Sequence, residues 1–238
     1  MTAKKRQLAS KLPFLCVLWY NGSQGGSKMM EMRSLRRRDA VKAVRFAIEG
    51  MHFDWYLDHT LALAAFGWYF WLKERCRATQ VLAAYEGRRF AGVLLAEVYG
   101  ETVQRCSWLA RSYVALAEVI MALLFKGGPD VYAQTTAALD RRYRQRVRPD
   151  GEILFLAVDP DFQGTGVGSA LLAALEQAEA GKTFFLQTDD ACTYQFYEHR
   201  GFVCAEKASI VLDMPKGKIP LTCFLYSKTF AESGDDRH

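Results

Sequence analysis

The chain has 238 residues, half of them hydrophobic and 24% charged, which excludes a mainly disordered protein and allows a core without metal or disulfide staples. The formal charge of +5 is unevenly spread. Residues 1–38 hold nine Lys or Arg against the single acid Glu31, so the other 200 residues, with 22 basic and 25 acidic groups, are mildly acidic. A nucleic-acid partner, the usual reading of a basic chain, therefore has no footing in the folded body.

In chain order, Lys4, Lys5, Arg6 and Lys11 precede the apolar run Leu12–Tyr20 in the manner of a short signal peptide, but Pro13 breaks the run and no small-x-small site follows. Asn21–Ser27 (NGSQGGS) is linker-like, so residues 1–28 are expected to be a flexible leader, with Met29, Met30 and Met32 as alternative starts. Glu31–Leu35 is a strand candidate, and Arg38–Glu49 is helical by the spacing of Val41, Val44, Arg45 and Ile48. His52–Arg75 continues as one long or two broken helices. Its aromatic bulk at Phe66, Trp68, Tyr69, Phe70 and Trp71 reads as core or as a subunit interface, which keeps a homodimer open. Gln80–Tyr85 and Arg89–Tyr99 form a hairpin about Glu86-Gly87-Arg88.

Arg105–Arg148 is helical in two parts split at Lys126–Pro129. It ends in Arg141, Arg142, Arg144, Arg146 and Arg148, either a solvated helix face or a surface facing an anion. Thr60–Leu72 and Tyr113–Phe125 are thirteen-residue apolar runs. A membrane span needs about 20 residues, so no membrane partner is expected. Glu152–Val158 (EILFLAV) is a buried strand, Gly166–Ala180 a helix, Thr183–Thr188 a strand and Ala191–Arg200 a helix closed by Gly201. Phe202–Asp213 and Ile219–Phe230 are strands joined by Pro215–Lys218. The whole reads as one α/β domain over residues 29–230, with a helical insertion at 100–151 before its fourth strand and a tail at 231–238. The six cysteines (16, 76, 106, 192, 204, 223) have no metal-like spacing and do not group with the four histidines. Reduced thiols, a cytoplasmic setting and no metal are expected.

The densest chemical signal is the loop Asp159-Pro160-Asp161-Phe162-Gln163-Gly164-Thr165-Gly166-Val167-Gly168-Ser169 between a strand and a helix. Glycines at alternate positions strip side chains from a loop that enters a helix, where amide N–H groups and the helix dipole favour an anion. A Walker loop would need a Lys here, and a dinucleotide fingerprint would need Gly at position 169 and a first Gly directly after the strand. Neither is met, although Asp189 stands where a ribose-binding acid would be.

Gln163-x-x-Gly166-x-Gly168 after Val158-Asp159-Pro160 resembles the acetyl-CoA-binding motif of the GNAT (GCN5-related) N-acetyltransferases, and Tyr197-Glu198-x-x-Gly201-Phe202 resembles a second motif of that family. The resemblance is strongest over Glu152–Phe230. It implies an α+β fold with a mixed central sheet of about six or seven strands and flanking helices, and acetyl-CoA as cosubstrate. Two parallel strands, Glu152–Val158 and Thr183–Thr188, would splay around the pantetheine arm, with main-chain contacts from Leu156 and Val158. The amides of Gln163, Gly164, Thr165, Gly166, Val167, Gly168 and Ser169 would hold the pyrophosphate. Tyr197 matches the family's tyrosine at the cofactor sulfur. A phenol is protonated at pH 7 and can give its proton to a thiolate, and a main-chain N–H near Val158 would stabilise the oxyanion. As an alternative, Tyr197 is a packed aromatic.

The family often has Asn four residues before this Tyr; here it is Thr193. No motif marks a base. Glu97 and Glu152 are the candidates, whereas Asp189 and Asp190 read as helix caps. His199, Arg200 and Gly201 read as a helix end. The implied activity is acetyl transfer to a primary amine of a small molecule or peptide by direct attack in a ternary complex. The alternative is an acyl-CoA-binding module of the same fold without turnover.

Overall fold

Among the described residues, eight strands build one mixed sheet: β1 (Cys16–Leu18), β2 (Met30–Arg33), β3 (Gln80–Glu86), β4 (Arg89–Val98), β5 (Gly151–Val158), β6 (Thr183–Asp189), β7 (Val203–Met214) and β8 (Gly217–Thr229). Their spatial order is β1-β2-β3-β4-β5-β6-β8-β7. All neighbours are antiparallel except β5 and β6. The computed structural model describes residues 16–18, 30–51, 59–103, 106–124, 131–214 and 217–232. The linker at 21–27, the start of the helix expected from His52, the break at 126–129, the Pro215-Lys216 turn and most of the tail lie outside them. Seven strands fall where the sequence places them. The eighth, β1, lies within the stretch expected to be a flexible leader, because its backbone pairs with β2 from Cys16↔Met32 to Leu18↔Met30.

Helices cover both faces. On one lies α5 (Val167–Ala178), an Ala- and Leu-rich helix whose Val167, Leu171 and Leu175 pack on Leu94, Ala96, Ile153, Phe184 and Leu186. The other face is shared. α1 (Ala40–Gly50) and α2 (Thr60–Arg77) cover Tyr85, Phe90, Val93, Leu95 and Phe155, and α4 (Val131–Arg144) covers Phe185, Leu212, Leu221 and Leu225. The aromatic run of α2 belongs mainly to this core: Trp71 is buried in it, Phe66, Trp68 and Phe70 pack against it, and Phe70 and Trp71 meet the edge of Phe155, while the buried Tyr69 donates to Glu118 of the next helix. α3 (Trp108–Leu124) packs on α2, so α3 and α4 together fill the connection between β4 and β5. Among the described residues no helix is long and apolar enough to cross a membrane.

β5 carries a bulge. Leu95 pairs with Phe155 and Ala96 with Ile153, which leaves Leu154 as an extra residue. Below it Ile153 faces α5; above it Leu156 and Val158 face α5, while Leu154, Phe155 and Ala157 pack on the α1–α2 side.

The expectation of six reduced thiols is overturned at one pair. Cys76 in the last turn of α2 is bonded to Cys106 ahead of α3, with Cα atoms 5.2 Å apart. The packing of α3 on α2 brings these residues together, which their spacing in sequence does not reveal, and a disulfide is at odds with a reducing compartment. Closing a loop with a sequence separation of 30 stabilises by about 2–4 kcal/mol. Cys76→Ser should lower the unfolding free energy in urea by that amount. Identical midpoints for the wild type with and without dithiothreitol would show that the bond contributes nothing.

Candidate active site

The one parallel pair opens into a wedge. β5 and β6 are paired only at Gly151↔Phe184 and Glu152↔Phe185, while β4 stays paired with β5 up to Val158. Past Glu152 the β6-facing edge of β5 has no partner strand, so main-chain groups of the stretch that holds Leu156 and Val158 are left to bond whatever enters there.

At the open end of the wedge the chain makes a 3-10 turn at Pro160–Phe162, capped by the Asp159 side chain, which accepts from Asp161 N–H. It then enters α5 through Gly164 and Gly166, both left-handed (φ 75° and 85°), a region open to glycine at no steric cost. Ala170 N–H makes the first bond of α5, to Gly166 O, so the amides of Gly166, Val167, Gly168 and Ser169 precede any intrahelical acceptor. This narrows the expected cradle. The Gln163 amide donates to Pro160 O (3.1 Å) and the Thr165 amide to Phe162 O (3.2 Å), because the turn consumes both; the Thr165 hydroxyl also donates to Phe162 O. Two further glycines let the elements meet. A Cβ on Gly92, opposite Val158, would lie 2.9 Å from Ala157 O and 3.1 Å from a Val167 methyl, and one on Gly168 would lie 3.1 Å from the Phe196 ring.

α6 (Gln195–Glu198) is a single turn rather than the ten-residue helix expected. The Asp189 carboxylate takes the amides of Ala191 and Cys192 and so holds residues 190–192 in a turn. Tyr197 stands edge-on to Phe196 and Phe202 (centroids 5.1 and 5.8 Å apart). Burial, then the nearby Cys192 thiol, pushes its phenol above the ordinary tyrosine value. Burial, then Asp189, pushes Cys192 up to about 12. Both groups are therefore neutral at pH 7.

The family model described as "Acetyltransferase (GNAT) domain" matches residues 130–204, the span that contains the wedge, the glycine loop and α6. Over residues 130–204 the chain is thus similar to the GNAT acetyltransferases. No curated protein matches the chain. Of the solved structures, a yellow fever mosquito protein described as a putative arylalkylamine N-acetyltransferase 7 has TM-score 0.55 at 15% identity, over 92% of this chain and 97% of its own, and shares the fold. The ribosomal-protein-S18-alanine N-acetyltransferase of Escherichia coli aligns over 88% of this chain and 99% of its own (TM-score 0.48, 16% identity). The Salmonella typhimurium protein yncA, solved with acetyl-CoA, aligns over 87% and 98% (TM-score 0.47, 14% identity).

The GNAT match begins ahead of α4 and so takes in a helix that the two motifs alone leave within the insertion. α4 is tied to the wedge, since the Tyr132 hydroxyl donates to Asp189 (3.1 Å). Three arginines of the run at its end are held by the protein's own side chains. Arg142 and Arg146 pair with Glu206 on β7, and Arg144 pairs with Asp140 and donates to Tyr99, so these three dock the helix. Asp190 is likewise no helix cap, for its carboxylate accepts from Thr222 N–H on β8.

Arg200, a helix-end cation by sequence, has a place in the site that the sequence does not reveal. Its guanidinium lies 3.7 Å above the Phe196 ring and donates to the Ser169 hydroxyl in the first turn of α5. No spacing rule links positions 169 and 200; only the fold does. Thr193 is exposed, and its carbonyl accepts from Phe196 N–H. Glu97 lies on the face opposite α5 and is paired with Glu152 across β4 and β5, and both reach Arg77 of α2 (2.9 and 2.7 Å). Among the described residues no group of three or more His, Cys, Asp or Glu could hold a metal ion.

Proposed function

We propose that the chain is an N-acetyltransferase that moves the acetyl group of acetyl-CoA to a primary amine by direct attack in a ternary complex. The observation that carries this reading is the wedge itself: an unpaired strand edge that ends at a glycine loop whose helix amides converge. These residues fit the cofactor. The amides of Gly166–Ser169 and the Arg200 guanidinium suit a pyrophosphate, and a Cβ at Gly164 would meet nothing within 4 Å, so the approach is open. Acetyl-CoA supplies the acyl group activated as a thioester.

The chain's own groups supply the rest. β5 main-chain N–H groups stabilise the negative charge that develops on the carbonyl oxygen. A carboxylate of Glu97 or Glu152 takes the proton of the attacking nitrogen, whose electron pair then forms the new C–N bond. Tyr197 Oη gives its proton to the departing sulfur as the C–S bond breaks, and the proton held by the carboxylate returns to Tyr197 through water, so both groups are restored. A relay through Cys192 is disfavoured, since a thiol pushed up to about 12 is a thiolate in only about one molecule in 100,000 at pH 7. The domain is read as residues 29–230, with the acceptor a small molecule or peptide.

Thiol release from acetyl-CoA should be measured with an arylalkylamine, a polyamine, free lysine, a peptide amino terminus and an aminoglycoside. Release with at least one amine is the expected result. Acetyl-CoA binding with no release from any would instead identify a binding module of the same fold.

A further inference from the structure

At the closed end of the wedge two carboxylates stand directly opposite each other, Glu97 on β4 and Glu152 on β5, and Glu152 is also the last residue of β5 paired with β6. Like charges in such a cross-strand pair repel. What offsets the repulsion comes from α2. Arg77 donates to Glu97 (2.9 Å) and Glu152 (2.7 Å) and is 3.2 Å from Glu74, one turn back on its own helix. Lys73 on α2, Tyr99 just past β4 and Asp140 on α4 face the same group electrostatically, and Arg144 of α4 donates to Tyr99. All of this lies on the α2–α4 side of the sheet, across from α5.

We infer that Arg77 is a positioning residue for acetyl transfer: it holds the Glu97–Glu152 pair side by side at the closed end of the wedge, where the pair takes the proton of the acceptor nitrogen. The inference rests on the proposed acetyltransferase reading and deepens it. Three carboxylates around one guanidinium leave a surplus of negative charge, which makes the cluster a proton acceptor. Burial pushes Glu74 up to about 7, against the pull of Arg77 and reinforced by Glu152. Burial also raises Glu152, opposed by Arg77. Near neutral pH the cluster is thus close to exchanging a proton. Arg77 pulls Glu152 back toward its charged form, since an adjacent guanidinium favours that form.

The test uses the full chain as wild type, Arg77→Gln, Arg77→Lys and, as a control, Arg45→Gln, which breaks only an exposed pair with Glu49 on α1. Carboxyl titration by NMR with 13C-labelled glutamate, assigned with Glu152→Gln, should show the Glu152 titration moving up by at least one pH unit in Arg77→Gln. With the amine that releases thiol fastest, kcat should fall at least tenfold at pH 7. The acidic limb of kcat should move up by the same interval, while acetyl-CoA affinity stays within twofold. Arg77→Lys should restore most of both, and Arg45→Gln should match the wild type. A Glu152 titration or acidic limb unmoved in Arg77→Gln overturns the inference, as does a loss of kcat without a pH shift. Wild-type chain that binds acetyl-CoA but releases no thiol overturns the acetyltransferase reading instead, and the NMR arm reports on Arg77 and Glu152 in either case.

Discussion

Gly166→Glu is expected to weaken acetyl-CoA binding by about 100-fold or more, the largest effect on affinity of any single change considered. Two effects combine. Gly166 sits at φ 85° directly before α5, so any side chain there costs about 1 kcal/mol of backbone strain. The greater loss is chemical: the glutamate carboxylate would fold onto the amides of Gly166–Ser169 and repel the anion that needs them. Losing a charge-assisted set of hydrogen bonds costs about 1.5–3 kcal/mol per contact, and repulsion adds to it. Gly166→Ala tells strain from charge, since it carries the first without the second and should lose less than tenfold. Calorimetry on both variants decides the matter; equal affinity for Gly166→Glu and wild type would sink the phosphate-cradle reading.

The second large effect is on turnover. Tyr197→Phe keeps the edge-on packing against Phe196 and Phe202 and removes only the hydroxyl. Thiol release should therefore fall about 100-fold to 10,000-fold, the usual range for a lost proton donor, with acetyl-CoA affinity within twofold. The pH profile gives a further check. Burial, and then Cys192, raises the phenol above its ordinary value, so Tyr197 stays protonated, and able to donate, beyond about pH 10. Wild-type activity should show no alkaline loss from this group below that pH. Rates for Tyr197→Phe equal to wild type across the whole range would return the residue to the role of a packed aromatic.

Much of the fold is legible in the sequence because its elements are built from local patterns. Seven strands, the β3–β4 turn at Gly87 and the glycine entry to α5 all have signatures within a few residues. The glycine loop and the Tyr197 segment of the candidate site have local signatures too. What is not legible depends on contacts between distant positions. Arg200 meets Ser169 across some thirty residues of chain, Arg77 gathers Glu97 and Glu152 from two strands, and Cys76 finds Cys106 only when α3 folds onto α2. The arginine run of α4 is ambiguous for the same reason: its meaning depends on Glu206 of β7. The short α6 is not foreseen because Asp189 diverts the preceding residues into a turn through side-chain bonds that compete with helix formation.

The extra residue in β5 bears on the division of labour within that strand. In a strand without it, Glu152, Leu156 and Val158 at these sequence positions would share one face, since side chains alternate strictly. With Leu154 inserted, the parity of the strand changes halfway along. Glu152 is turned toward Arg77 and α2, while Leu156 and Val158 lie beneath α5. One strand can thus present its acid to one side of the sheet and the stretch proposed to meet the cofactor to the other. The corollary concerns which changes of length the gene can tolerate. A codon lost at Leu154 would leave acid and cofactor stretch on their own sides, because the residues that remain alternate without interruption. A codon gained beside it would demand a second bulge or turn one of the two stretches over.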